Sequence, residues 1–246
     1  MERGDRVWLA GANGGQHFGF LALKGDSRLK LFSQGFPKDN LPVPSAQLLA
    51  VASRRGVFAA VGPQNIIFGT TQSIRDAFRN GEGDRIDYKA EKTFPLPSKV
   101  SHIAFDAAEE HLIVGAEAGG VSVFSLNDVI NSGSQPAPIA ELALGGELRE
   151  VRPNPAVESS KYVAISTANG DLRMLDLETK GFVNNAVLAT NISTVCWSQR
   201  GKQIICGKFD GTCVQLTPSG EEKGAIPCVP GLDNCFGKFV YIIEFC

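Results

Sequence analysis

The chain has 246 residues, a formal net charge of −2, and 43% hydrophobic against 20% charged residues. That balance is ordinary for a globular chain, and it excludes the strongly basic field that holds a nucleic-acid backbone without sequence preference. No apolar run reaches the ~20 residues that span a bilayer, and the opening MERGDRVWLAGANGG lacks the continuous apolar stretch of a secretory signal.

In chain order, GFLALKGDSRLKLFSQGFP (residues 19–37) reads as a hairpin of its own. From Ser45, SAQLLAVASRRGVFAAVGPQNIIFGTT reads as three short strands, with Arg54, Arg55 and Gly56 turning the chain between the first two. TTQSIRDAFRNGEGD follows as one or two helical turns. Ser73 is placed to cap its start, Ile74, Ala77 and Phe78 fall at i, i+3 and i+4, and Asn80-Gly81 stops it. RNGEGDRIDYKAEK, with both signs interspersed, reads as a solvated loop.

Three copies of one pattern come next. VSHIAFDAAEEHLIVGAEAGGVSVFSLNDV starts at Val100, LREVRPNPAVESSKYVAISTANGDLRMLDLET at Leu148, and ISTVCWSQRGKQIICGKFDGTCVQLTPSGE at Ile192. Each has a short strand (HIAFD, EVRPN, TVCWS), a polar turn, a second strand running into a glycine turn, and a third strand leaving it. The glycine turns are Gly119-Gly120, Asn169-Gly170 and Asp210-Gly211, pairs that favour two-residue type I′ hairpins. In DLRMLDLE, Leu172, Met174 and Asp176 share one face, and Arg173, Leu175 and Leu177 the other. A strand apolar on both faces is one covered from both sides. LNDVINSG is a second short helical turn and INSGSQPAP a surface insertion.

The first strands start at 100, 148 and 192, so the period lies in the forties, the length of a four-stranded propeller blade. With the looser copy from Ser45, the expected fold is all-β: a WD-type β-propeller, incomplete, with about four blades. In such rings an N-terminal strand, here the one near residue 19, latches the last blade. The expected layout is an N-terminal segment (1–17), a partial propeller (18–234) and a divergent tail (235–246). An incomplete ring is expected to leave the apolar faces of its first and last blades open.

FGFLALKGDSRLKLF, the LLAVAS…GVFAA pair, the T-x-x-I-R-D turn after the third strand and the blade HIAFD…LIVGAEAGGVSVF go beyond a generic propeller. Together they resemble the N-terminal propeller of a nucleoporin family on the cytoplasmic face of the nuclear pore, over roughly Phe18 to Asp233. The resemblance implies a seven-bladed, non-catalytic scaffold without a cofactor. It also implies recruitment of a DEAD-box RNA helicase for mRNA export, alongside other nucleoporins, with no direct nucleic-acid contact and no membrane insertion. Seven blades need on the order of 315 residues; the ending CFGKFVYIIEFC therefore reads as a truncated or mis-spliced product. In the family, acidic and apolar loops of the later blades meet basic helicase residues, which leaves Leu232 and Asp233 as the candidate partner-binding residues here.

The alternatives are a generic WD-type scaffold in another complex and a propeller hydrolase. The residues give the hydrolase little. The acidic pairs Glu109-Glu110 and Glu221-Glu222 sit in turns and read as solvated surface. His102 and His111 fall in one blade, where a metal would need them as neighbours; the plainer reading is strand-end histidines bonded to backbone. GANGGQHFG, which contains His17, lacks the Lys-Ser/Thr of a phosphate loop. The six cysteines, from Cys196 to Cys246, include no C-x-x-C pair and read as reduced core residues. Trp197 occupies the position of Phe105 in its copy and is expected in the core, while Trp8 is a candidate for partner contact.

Overall fold

The computed structural model describes residues 6–9, 18–21, 28–34, 46–80, 85–96 and 98–227. The chain opens with β1 (Arg6–Leu9), β2 (Phe18–Leu21) and β3 (Arg28–Lys30). The first blade comprises β4 (Leu49–Ala52), β5 (Val57–Val61) and β6 (Asn65–Thr70), then, after helix α1 (Thr71–Asn80) and β7 (Arg85–Asp87), its outer strand β8 (Lys92–Pro95). The second is β9 (Val100–Phe105), β10 (His111–Ala116), β11 (Gly120–Ser125) and, after helix α2 (Leu126–Asn131), β12 (Ala140–Ala143). The third is β13 (Leu148–Pro153), β14 (Tyr162–Thr167), β15 (Leu172–Asp176) and β16 (Gly181–Phe182). The fourth is β17 (Ile192–Trp197), β18 (Ile204–Lys208), β19 (Cys213–Leu216) and β20 (Glu222–Ile226). All four are four-stranded sheets of antiparallel neighbours, as the repeat predicts.

Strand alternation sends successive side chains to opposite blade boundaries. On β15, Leu172 and Met174 enter the core shared with the fourth blade, and Leu175 enters the core shared with the second. On β10, Leu112 faces the first blade and Ile113 the third. The innermost strands lie side by side: Gln47, just before β4, bridges His102 in parallel, its N–H reaching the Ser101 carbonyl at 2.9 Å. Trp197 Nε1 donates to the Arg152 carbonyl at 2.8 Å, so the buried ring expected at that position also ties the fourth blade to the third.

Several local expectations change. The three glycine turns are three-residue loops, not two-residue type I′ turns. Gly119, Gly170 and Gly211 have φ of +97°, +89° and +84°, while Asn169 and Asp210 keep negative φ. Each of these glycines donates its N–H back to the residue three earlier, Ala116, Thr167 and Lys208. This is a type I turn closed by one left-handed residue, which demands one glycine per hairpin. Helix α1 runs ten residues, and Thr70, not Ser73, caps it: Thr70 Oγ1 accepts the Ser73 N–H at 3.0 Å.

Among the described residues, β2 and β3 do not pair with each other as the hairpin expected over 19–37. β2 pairs with β1, and β3 runs parallel to β7, so no latch onto the fourth blade is seen among the described residues. The stretch read as a solvated loop instead supplies β7 and the ring of Tyr88, which packs on Phe58 at 5.6 Å between centroids. With Leu31, Phe32 and Ile74 it covers Phe58, Ala60 and Ile67, so this face of the first blade is filled and not open as expected. Gly62 and Gly69 make that possible: a Cβ at either position would lie within 2.5 Å of Phe32 or the Tyr88 hydroxyl. Among the described residues, the inner strand keeps large apolar groups half exposed on that side, at Leu49 and Val51.

Candidate interaction surface

The glycine turns and the loops that open each next blade meet at one end of the molecule. The Leu144 N–H reaches the Gly119 carbonyl and the Leu148 N–H the Glu117 carbonyl, both at 2.9 Å. One blade on, the Ala168 N–H reaches the Glu147 carbonyl at 2.8 Å, and the Ile192 N–H the Gly170 carbonyl at 2.9 Å. Finally the Phe209 N–H reaches the Asn191 carbonyl at 2.9 Å. These bonds hold three hairpin tips in fixed order, and their side chains form one surface.

The first position of the three loops is Glu117, Ala168 and Phe209. Glu117 is paired with Lys99 at 2.9 Å. Phe209 stays 38% exposed, a large aromatic ring on a solvated turn. Arg149 holds it in place, its guanidinium 5.2 Å from the ring centroid and its Nε donating to the Ser193 carbonyl at 2.7 Å. The ring also lies over Gly170, where a Cβ would approach it to 3.0 Å.

Asp210, next to it, is exposed and ordered. Its carboxylate accepts from the Thr212 hydroxyl at 2.6 Å, the Thr212 N–H at 2.9 Å and Asn191 Nδ2 at 3.2 Å. Those bonds from Thr212 hold its pKa below the usual carboxylate value. Glu147, also exposed, has no ion-pair partner among the described residues. The surface is thus an aromatic ring flanked by the carboxylates of Asp210 and Glu147. Such a surface suits a partner presenting an apolar contact ringed by Lys or Arg.

The opposite end is built for cohesion. Glu109 is buried and accepts the Arg54 and Arg55 N–H groups of the preceding blade at 3.1 and 2.8 Å, so it is not the solvated acid expected of that pair. Asn154, fully buried, donates from Nδ2 to the Gly201 carbonyl at 2.8 Å and accepts the Ala156 N–H at 3.0 Å. Glu221 pairs with Lys223 at the surface. The β9–β10 register sets His102 opposite Gly115, and the β10–β11 register sets His111 opposite Ser125. The two imidazoles therefore stand at opposite ends of the ladder, apart and not converging on a common ligand.

Leu232 and Asp233 lie outside the described residues, as does His17. Trp8 sits in β1 opposite Gly19. Phe209 and Arg149 were not singled out in the sequence. The signal lay in the aligned copies, where an aromatic replaces Glu117 and Ala168 at a position that must face water.

A family model described as the NUP159/214 beta propeller matches residues 42–245. Nucleoporin NUP159 of Chaetomium thermophilum is 40% identical over 234 residues, covering 92% of this chain and 16% of that protein. Among solved structures, the N-terminal domain of Nup159 superposes with a TM-score of 0.58 at 17% identity, over 78% of this chain and 47% of that one. A Saccharomyces cerevisiae complex, in which dbp5 is bound to nup159 with gle1, IP6 and ADP, gives 0.60 at 16% identity, over 87% and 55%. At these identities the structural likeness speaks for the fold alone. The chain thus spans about a sixth of its curated relative and about half of each solved chain.

Proposed function

The chain belongs to the NUP159/214 β-propeller family, and from that premise we propose that it is a non-catalytic docking platform on the cytoplasmic face of the nuclear pore complex. Its partner in this reading is a DEAD-box RNA helicase of mRNA export, with other nucleoporins alongside. The observation that carries the reading is the 40% identity to a NUP159 nucleoporin across nearly the whole chain. The solved yeast nup159 bound to dbp5 supplies the precedent for the partner. The Phe209–Asp210 tip supplies chemistry suited to a basic, partly apolar partner surface. Leu232 and Asp233, which follow the fourth blade in sequence, remain proposed contacts.

A non-catalytic role is supported by how the acids are used: Glu109 clamps a neighbouring blade, and Asp106 caps its own turn through the Glu110 and His111 N–H groups. The direct test is capture of a purified DEAD-box export helicase by the full chain, with and without competing single-stranded RNA. Capture that RNA weakens is the expected result. No capture at micromolar concentrations of both proteins refutes the helicase assignment and leaves the generic scaffold.

A further inference from the structure

Between the first and second blades lies an apolar cleft of about 260 Å³. Its floor is buried: Phe68 and Phe94, with ring centroids 5.5 Å apart, face Leu112 and Val129. Its mouth is exposed, ringed by Pro95, Ser98, Gln135 and Glu141. The wall grades from apolar to polar along one cross-strand row, because Val114 pairs with Ser122 and Ser122 with Glu141. Glu141 is the one charged residue in the lining, and it has no ion-pair partner among the described residues. Lys92, which ties the two blades together beside the cleft, is occupied. Its ammonium donates to the Val129 carbonyl at 3.1 Å, the Ser132 carbonyl at 2.6 Å and the Ile130 carbonyl at the end of α2.

We propose that this inter-blade cleft binds a short extended peptide of another protein, one that inserts bulky apolar side chains and sets a lysine or arginine against Glu141. The volume fits one or two side chains, too little for a helix or a folded domain. The walls are rigid sheets, so the site is preformed and little ordering opposes binding. An unpaired carboxylate at the rim of an apolar slot attracts a cation and repels an acidic sequence, so charge selects among apolar peptides. The cleft reaches the first glycine turn at Ala116 and Gly120 but lies two blades from Phe209, so a short peptide in it leaves the Phe209 tip uncovered.

Fluorescence anisotropy with the full chain tests this using two labelled peptides. One carries Phe-Leu between two lysines; the other replaces the lysines with glutamates. The basic peptide is expected to bind at least roughly fivefold tighter, the scale of one partly exposed charge contact. Ser122→Phe projects a ring into the cleft and is expected to weaken binding more than about tenfold. Glu141→Lys, at an exposed position that leaves the fold intact, is expected to abolish or reverse the charge preference. Neither variant is expected to alter helicase capture through Phe209, two blades away. Equal binding of the two peptides, an unchanged preference in Glu141→Lys, or no binding of the basic peptide at millimolar concentration overturns the proposal.

Discussion

Glu109 holds Arg55 across a blade boundary: its Oε2 accepts the Arg55 backbone N–H at 2.8 Å while Oε1 takes the N–H of Arg54. The Arg54 side chain returns the contact, donating to the Ala107 carbonyl. Inner strands share few backbone bonds with their neighbours in the next sheet, so such side-chain clamps set how one blade seats on another. Asn154 and Gly201 do the same between the third and fourth blades.

Glu109→Ala leaves two partly buried N–H groups without an acceptor and is expected to cost about 1–3 kcal/mol of unfolding free energy. Glu109→Gln keeps one acceptor oxygen and should lose less. Urea denaturation of the three proteins checks both; an alanine variant within ~0.5 kcal/mol of the parent sinks the clamp.

The glycine turns share one conformation but not one environment. A Cβ on Gly119 would lie 2.0 Å from the Gly146 carbonyl oxygen, whereas one on Gly211 meets nothing within 4 Å. Gly211→Ala carries only the backbone penalty of a left-handed alanine, about 1 kcal/mol. Gly119→Ala adds a clash with backbone that cannot swing aside, and is expected to cost at least twice that or to abolish folding. Equal melting temperatures for the two variants would contradict this.

Asp106 gives the fold an acid limit. Burial alone would raise its pKa; the His111 imidazole 3.5 Å away and the N–H groups of His111 and Glu110 outweigh that and hold it below the ordinary value. A carboxyl depressed in the folded state stabilises above its unfolded pKa of ~3.9 and loses that contribution as pH falls through the folded value. Asp106→Asn should therefore be less stable near neutrality and show a shallower loss below about pH 4. Parallel curves for parent and variant from neutral to acid pH would count against the assignment.

Cys206 lies fully buried between the third and fourth blades, and burial, with Cys213 adding to it, pushes its thiol up to about 12. The native thiol is then un-ionised and inaccessible at neutral pH. Mass spectrometry after iodoacetamide treatment is expected to find Cys206 unmodified in the folded chain and modified in urea. Rapid native labelling would show that the blade boundary opens.

The blade count and strand order were legible because a propeller repeats one grammar, and Leu172, Met174 and Leu175 display both buried faces in the sequence itself. What stayed hidden depends on partners far along the chain. Nothing local tells that Glu109 reaches back 54 residues to a pair of backbone N–H groups. Nor do two glycines in the first blade announce that Phe32 and Tyr88 fill the space where their side chains would stand. Asn-Gly and Asp-Gly suit both hairpin lengths, and nothing in the pair tells that the residue before it, Ala168 or Phe209, belongs to the loop as well.

The Phe209 tip is the sharpest test of the proposed function. If it is the helicase contact, Phe209→Ala removes the apolar anchor and should weaken capture roughly tenfold, the scale of a modest interface hot spot. Asp210→Asn retains the shape of the tip and removes one charge, so its effect should appear mainly in the association rate and fade with salt. Arg149→Lys keeps the charge but loses the flat cation over the ring, and should give an intermediate loss because Phe209 is no longer held. Surface plasmon resonance at two ionic strengths separates these effects. If all three variants match the parent while capture persists, the helicase binds elsewhere, and contacts around Leu232 and Asp233 become the next to test.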